Sequence, residues 1–274
     1  MIKNKIVEIL PILRKIRKCQ RLIYFYCKLM FKKIYKKYSE EKSNKKLQFE
    51  VYNCKSNLIN YNSNFNIEYQ YNKIENLEIA SKYINNLIIK PGEIFSFWNI
   101  IGVINKTKGY KEGMCLVNGK YIPDVGGGIC QLTNLLFFSF LHTPLTIIER
   151  HGHKVQETPY YDSNIPFGTD AAVSEGWFDL VIENDSNTTY QIVIEFDDQY
   201  IKCKILSDKE NKFNYKICSV NGRYLREDGK LYYNNEMYKK ITDKNTNKVI
   251  EYNLLYTNKY EIKYDLNINQ MLLL

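Results

Sequence analysis

Residues 126–141 read GGGICQLTNLLFFSFL, which is three glycines, an isoleucine and a cysteine, followed by an apolar segment. The apolar segment predicts a buried helix over residues 129–142, and the glycines allow a sharp turn before it. A helix start has unpaired backbone N–H groups and about half a positive charge, so a thiol there ionises below its ordinary pKa of about 8.5. Cys130 is therefore a candidate nucleophile.

Packing is the alternative role for Cys130, because free cysteine is among the most buried residue types. The chain has seven cysteines and no C-x-x-C spacing, which indicates neither a disulfide framework nor a zinc ribbon, so we expect reduced thiols. Only Cys130 follows a glycine run and precedes a histidine pair. The other six are Cys19, Cys27, Cys54, Cys115, Cys203 and Cys218.

Two histidines and an aspartate follow Cys130 along the chain. His151 and His153 lie on a strand predicted over residues 146–155, and Asp170 opens a strand predicted over 170–173. In an acyl transfer, Cys130 would attack, His153 would hold its proton and Asp170 would orient the imidazole. His151 competes with His153 for the role of base, because alternate residues of a strand share a face.

The remaining site predictions concern substrate contacts. The Cys130 N–H or the Gln131 side chain would receive the oxyanion. The residues expected to contact substrate are Gly126, Gly127, Gly128, Gln131, His151, Glu175 and Trp177. The order of cysteine, histidine and aspartate is similar to that of transglutaminase-like and papain-like cysteine enzymes, including cell-wall peptidases.

Positive charge is concentrated at the N-terminus. Residues 1–48 hold fifteen Lys and Arg against three Glu, a net charge of +12, so the other 226 residues carry −3 of the overall +9. Nucleic-acid binding by the main body is not supported, because a phosphate-binding face needs positive charge concentrated on that face, and the main body carries a net negative charge.

The basic arm has the pattern of an amphipathic helix. Its apolar residues recur at steps of three and four, with basic residues between them. Such a helix lies on an anionic membrane or packs on the domain, and the sequence leaves both open. The apolar positions are Ile12, Ile16, Cys19, Ile23, Tyr26, Met30 and Ile34.

Neither a secretion signal nor a membrane span is recognisable in the sequence. The apolar stretch 6–13 is short and interrupted by Glu8 and Pro11, and residues 135–148 fall short of the ~18 apolar residues that a span needs. We expect either a cytoplasmic protein or one that is bound to the inner face of the membrane through its basic arm.

The predicted fold class is α+β, a mixed helix and antiparallel sheet core with a basic amphipathic N-terminal helix and a β-rich tail. The predicted domains are an arm (1–48), a core (49–208) and a C-terminal extension (209–274). Further predictions are a helix at 74–87, a hairpin across Asn118-Gly119, turns at Asn221-Gly222 and Asp228-Gly229, and strands at 93–101, 178–183 and 190–196.

Five segments together resemble the VanW family, which belongs to vancomycin-resistance gene clusters. They are KPGEIFSFW (90–98), GGGICQ (126–131), LHTPLT (141–146), DAAVSEGW (170–177) and LYTNK (255–259). The resemblance implies glycopeptide resistance or cell-wall metabolism as the setting, and it brings no catalytic residues with it. A peptidoglycan stem peptide or precursor is the substrate that this setting implies.

Two other functions remain open. In a non-catalytic binding protein, the glycine loop, Trp98, Glu175 and Trp177 would line a groove for a muropeptide. In a zinc protein, His151 and His153 would bind the metal with Glu149 or Asp170, although no strong ligand spacing is present. We expect no cofactor.

Overall fold

The computed structural model describes residues 11–61, 63, 65–117, 120–156 and 165–266. They form helices and mostly antiparallel sheets, which confirms the α+β class. The helices are α1 (Pro11–Tyr35), α2 (Ile67–Ile84), α3 (Phe97–Ile101) and α4 (Cys130–Leu141). The strands are β1 (Lys37–Tyr38), β2 (Phe49–Asn57), β3 (Ile88–Ile89), β4 (Glu93–Ser96), β5 (Glu112–Val117), β6 (Lys120–Val125), β7 (Thr146–Glu149), β8 (Val155–Gln156), β9 (Val181–Glu183), β10 (Tyr190–Phe196), β11 (Tyr200–Ser207), β12 (Phe213–Glu227), β13 (Lys230–Asp243) and β14 (Val249–Ile262).

Helix α4 lies in the core and contacts β2 and β11. The helix is apolar on all sides, and nine of its twelve residues are buried, which confirms the buried helix predicted after the glycines. Burying each large apolar side chain stabilises the fold by roughly 1.5–3 kcal/mol. The sheets around the core have the orders β1-β4-β9-β7, β2-β11-β10-β3 and β12-β13-β14-β8, and β5 pairs with β6.

Helix α1 confirms the predicted amphipathic helix, and one of its faces packs on the body. Leu29 packs against the buried cluster that contains Ile94 and Val181, and the Tyr26 hydroxyl donates to Glu175 Oε1 at 3.0 Å. The sequence predicted that Tyr26 shares a face with Ile23 and Met30. Tyr26 instead contacts the body, whereas Ile23 and Met30 are exposed to solvent. No helix of the described chain combines the length and apolar composition that a membrane crossing requires.

Helix α2 begins seven residues before the predicted start and ends three residues before the predicted end. The Asn66 side chain accepts from the Glu68 N–H at 3.0 Å and so caps the helix, while Asn86, with φ of 66°, ends it. The first two turns expose Ile67 and Tyr71 and bury the polar Gln70, so they show no apolar stripe and the pattern alone missed them.

The strand predicted over 93–101 is wrong beyond Ser96. The Ser96 hydroxyl accepts from the Asn99 N–H, and the buried Asp179 carboxylate accepts from the Trp98 N–H at 3.1 Å. These two acceptors satisfy a helix N-terminus, so the chain turns into α3.

Three predicted strands near the candidate site are shorter than expected or absent. Strand β7 ends at Glu149, residues 170–173 belong to no strand, and β9 starts only at Val181. Their backbone groups bond to side chains instead, as when the His153 N–H donates to Asp170 Oδ2. The prediction of 190–196 is confirmed by β10.

The C-terminal strands form a long antiparallel sheet whose turns were partly predicted. Asp228-Gly229 joins β12 to β13 as expected. Asn221-Gly222 is instead a bulge inside β12, where the register shifts between Val220 and Arg223. Ile217 and Met237 of this sheet belong to the same core as α4. Strands β5 and β6 confirm the hairpin, and its turn, Asn118-Gly119, lies outside the described residues.

Candidate functional site

The three glycines form the tight turn that leads from β6 into α4. Gly128 has φ of +88°, and a Cβ there would lie 2.2 Å from Lys73 Cγ, so only glycine fits. Gly127 packs directly against the backbone of Gly113. The buried Asn76 amide donates to Gly127 O at 3.0 Å and holds the turn from α2.

Cys130 is the first residue of α4, and the helix start has no side-chain cap. Its Sγ lies 3.7 Å from Val173 O, and the His153 side chain lies close enough to lower the pKa of the thiol. The residue is partly exposed. The predicted nucleophile and the predicted base therefore lie side by side, although they are 23 positions apart in the sequence.

His153 bridges Cys130 and Asp170. Its Nδ1 lies 2.6 Å from Asp170 Oδ2, and its backbone N–H donates to the same oxygen at 2.6 Å. Because Nδ1 is occupied by the carboxylate, Nε2 is the nitrogen left for the thiol. The side chains of His153 and Asp170 are 21% and 17% exposed, so the pair lies near the surface rather than deep in the core.

Two polar residues of α4 hold the Asp170 segment beside the helix. The buried Thr133 hydroxyl donates to Ala171 O at 2.6 Å, and Asn134 Oδ1 accepts from the Ala171 N–H at 2.7 Å. Both bonds are on the residue next to Asp170. The helix that starts with Cys130 thus also fixes the position of the aspartate.

The three groups shift one another's pKa. Burial raises the pKa of Cys130, but the hydrogen bond and charge of His153 more than offset it and leave the pKa below its ordinary value. Burial lowers the pKa of His153, but the bonds to Asp170 and Cys130 raise it to about 10. Burial raises the pKa of Asp170, yet His153 and then Arg150 bring it below the ordinary value. These shifts favour a thiolate at Cys130, an imidazolium at His153 and a carboxylate at Asp170, side by side.

Two groups that the sequence analysis missed bind the other oxygen of Asp170. Arg150 Nη2 and the Tyr260 hydroxyl each donate to Asp170 Oδ1 at 2.7 Å. Arg150 also donates through Nε to Asp170 O at 2.6 Å. Thr133 and Asn134 had a usable signal, since polar residues inside an apolar helix need partners. Tyr260 had none, because it lies 90 positions from Asp170.

The other predicted site residues lie apart from the thiol. Gln131 Nε2 donates to Asn57 O at 2.6 Å and to Ser56 Oγ at 3.0 Å, so this side chain is committed to β2 and not turned towards an oxyanion. His151 bonds to Glu149 at 3.2 Å and stacks on Phe178.

Glu175 and Trp177 contact the N-terminal helix. Tyr26 binds the Glu175 carboxylate, and the Arg21 guanidinium lies 5.0 Å from the centre of the exposed Trp177 ring. Trp98 is buried and donates to Phe178 O at 2.7 Å, so it lines no groove. Within the described ranges, no group of three or more His, Cys, Asp or Glu is arranged to hold a metal ion.

Comparisons with known proteins agree with the motifs. A sequence model described as "VanW like protein" matches residues 72–206, which include Cys130, His153 and Asp170 but not Tyr260. The chain is 40% identical to the vancomycin B-type resistance protein VanW of Enterococcus faecalis over 266 residues, 97% of this chain and 96% of that one. It is 37% identical over 112 residues to the uncharacterized protein YoaR of Bacillus subtilis, 41% of this chain and 35% of that one. No solved structure matches. The extent of the match to the Enterococcus protein shows that the chain belongs to the VanW family.

Proposed function

We propose that the protein is a cysteine-dependent acyl-transfer enzyme that acts on peptidoglycan stem peptides or their precursors. One observation carries the proposal: His153, which Asp170 holds at 2.6 Å, lies beside Cys130 at a helix N-terminus. This is the arrangement that activates a thiol nucleophile and holds its base in one orientation.

The reaction proceeds in two steps, formation of a thioester and its breakdown. The Cys130 thiolate attacks the amide carbonyl, the C–N bond breaks, and the His153 imidazolium gives its proton to the leaving amine. The product is a thioester. Water or the amine of a second peptide then attacks the thioester, His153 takes the proton, and the thiolate leaves.

The backbone of the helix start supplies the donor for the developing oxyanion. The sequence offered two donors, the Gln131 side chain and the Cys130 N–H. Because the Gln131 side chain is hydrogen-bonded to β2, the Cys130 N–H is the donor that remains. Among the described residues the Cys130 N–H has no hydrogen-bond acceptor. An N–H at a helix start that is free in the resting protein suits a charge that develops only in the transition state.

The substrate class rests on the family. The relative from Enterococcus is named for vancomycin resistance, and the family resemblance implies a cell-wall setting. Stem peptides provide amide bonds in that setting. We therefore propose for this chain both a role in vancomycin resistance and a peptide substrate.

The test is turnover of a purified muropeptide that carries a full stem peptide, followed by mass spectrometry. We expect a shortened or cross-linked product, and a covalent adduct on the Cys130 peptide early in the reaction. Cys130→Ser should abolish both, whereas Cys218→Ser, a thiol on β12, should leave both unchanged. Binding without turnover by the wild-type protein would contradict acyl transfer and support the non-catalytic alternative.

We also propose that α1 holds the protein on an anionic membrane surface, which would be the inner face. Its docked face lies on the body, and the opposite face exposes a stripe of large apolar side chains to solvent. Lys28 and Lys32 are exposed on the same helix and match the charge of anionic headgroups. The stripe consists of Ile16, Ile23, Met30, Phe31 and Ile34, which are 49–68% exposed.

Flotation of the full chain tests this placement. The protein should float with vesicles that contain phosphatidylglycerol and not with pure phosphatidylcholine vesicles. Ile23→Glu with Met30→Glu should abolish flotation, whereas Ile250→Glu, at a 52% exposed position on β14, should not. Absence of the wild-type protein from the anionic vesicle fraction would contradict the placement.

A further inference from the structure

Strand β14 brings a tyrosine from the end of the chain to the aspartate of the candidate site. The Tyr260 ring is 2% exposed, and its hydroxyl donates to Asp170 Oδ1 at 2.7 Å. Burial and the Asp170 charge raise the pKa of Tyr260, so the hydroxyl keeps its proton and acts only as a donor. A neutral donor on a carboxylate is a charge-assisted hydrogen bond, which is about twice as strong as a neutral one.

The hydrogen bonds of Asp170 divide between its two oxygens. Oδ2 faces His153 and accepts from its Nδ1 and its backbone N–H, both at 2.6 Å. Oδ1 faces Arg150 and Tyr260, both at 2.7 Å. A carboxylate held in this way at both oxygens cannot rotate, so Oδ2 stays directed at the imidazole.

The same strand also holds Arg150 in place. Its guanidinium lies 4.1 Å from the centre of the Tyr256 ring, and Asn258 Oδ1 lies 3.4 Å from both Nη1 and Nη2. Tyr256, Asn258 and Tyr260 alternate along β14, so their side chains lie on one face of the strand. That face therefore contacts the aspartate both directly and through the arginine.

We propose that Tyr260 is a positioning residue for the candidate site, and that it fixes the Asp170 carboxylate against His153. The inference rests on the proposed function, and it extends the functional unit beyond residue 206 into the C-terminal sheet. Without the hydroxyl, Oδ1 keeps only Arg150, the carboxylate gains freedom to turn, and the imidazolium beside Cys130 loses part of its counter-charge.

The test measures the ionisation of Cys130 and needs no substrate. The rate of iodoacetamide alkylation at the Cys130 peptide is followed by mass spectrometry from pH 5 to 10. For Tyr260→Phe we expect a three- to tenfold slower reaction at pH 6.5 and a smaller difference at pH 10, where the higher pH ionises a larger share of the thiol in both proteins. Tyr252→Phe, on the same strand but stacked on Tyr238, should match the wild type.

A double-mutant cycle separates positioning from general structure. In an Asp170→Asn background, Tyr260→Phe should change the alkylation rate by less than about twofold, because the group that it positions has been altered. A Tyr260→Phe rate within twofold of the wild type at pH 6.5, or an equal loss in the Asp170→Asn background, would overturn the inference. Peptide turnover is scored separately, so a positioned thiol that turns over no peptide refutes only the acyl transfer.

Discussion

The reactivity of Cys130 depends on a neighbour that the sequence places 23 residues away. Burial by itself raises the pKa of this thiol, as it does for Cys115, whose pKa rises to about 12. His153 reverses the effect at Cys130, because its positive charge and hydrogen bond stabilise the thiolate. The helix start adds its partial positive charge to the same sulfur. An activated thiol is thus a property of the pair and not of the cysteine.

Removal of His153 should return Cys130 to an ordinary or raised pKa. In His153→Ala, the rate of alkylation at Cys130 should fall at least about tenfold at pH 6.5, because burial then acts unopposed. His151→Ala is the matched control and should leave the rate within twofold of the wild type. Alkylation of the exposed Cys19 in the same sample provides an internal reference. Equal losses in the two variants would refute the choice of His153 over His151.

At the scale of elements, the site depends on the turn between β6 and α4. Gly127 touches the backbone of Gly113 on β5, Gly128 lies against the Lys73 side chain on α2, and Asn76 of the same helix donates to Gly127 O. Strand β5 and helix α2 therefore set where α4 begins. The direction of the Cys130 side chain follows from this start.

Gly128→Ala should destabilise the protein more than Gly229→Ala. Both positions have positive φ, +88° and +74°, so both substitutions carry a backbone strain of roughly 1–2 kcal/mol. A Cβ at Gly229 has open space, whereas one at Gly128 collides with Lys73. Urea unfolding of the two variants gives the difference. Equal free energies of unfolding would show that the close approach at Gly128 is unimportant.

At the scale of the whole molecule, the candidate site joins segments from the middle and the end of the chain. Helix α4, the 150–153 segment, the 170–173 segment and strand β14 all meet around Asp170. The core behind them also includes the third histidine. His142 is buried, bonds through Nδ1 to Phe138 O at 2.8 Å and stacks on Tyr52.

His142 should make the fold less stable in mild acid. Burial lowers its pKa from 6.5 to about 4, so the unfolded chain binds a proton between these values and the folded protein does not. Its contribution to stability is therefore full above pH 6.5 and is lost as the pH falls towards 4. Urea unfolding at pH 7 and pH 4.5 should show His142→Gln losing on the order of 2 kcal/mol less than the wild type. Identical losses in the two proteins would contradict this assignment.

Local patterns predicted the elements whose cause is local. Helix α4 follows from its apolar run, β10 from its apolar alternation, and the β12–β13 turn from Asp228-Gly229. Patterns failed where a distant side chain replaced a backbone partner. Asp179 turned a predicted strand into α3, and the bonds between Asp170 and the 150–153 segment ended β7 early.

The sequence by itself determined the α+β class, the amphipathic N-terminal helix and the identity of Cys130, His153 and Asp170 as candidate catalytic residues. These depend on periodicity, turn chemistry and order along the chain, which are local properties. Only the tertiary structure decided that the three side chains meet, that Gln131 points elsewhere and that Tyr260 joins them. The physical reason is that hydrogen bonds between side chains depend on distances of about 3 Å, and packing sets those distances across residues far apart in the sequence.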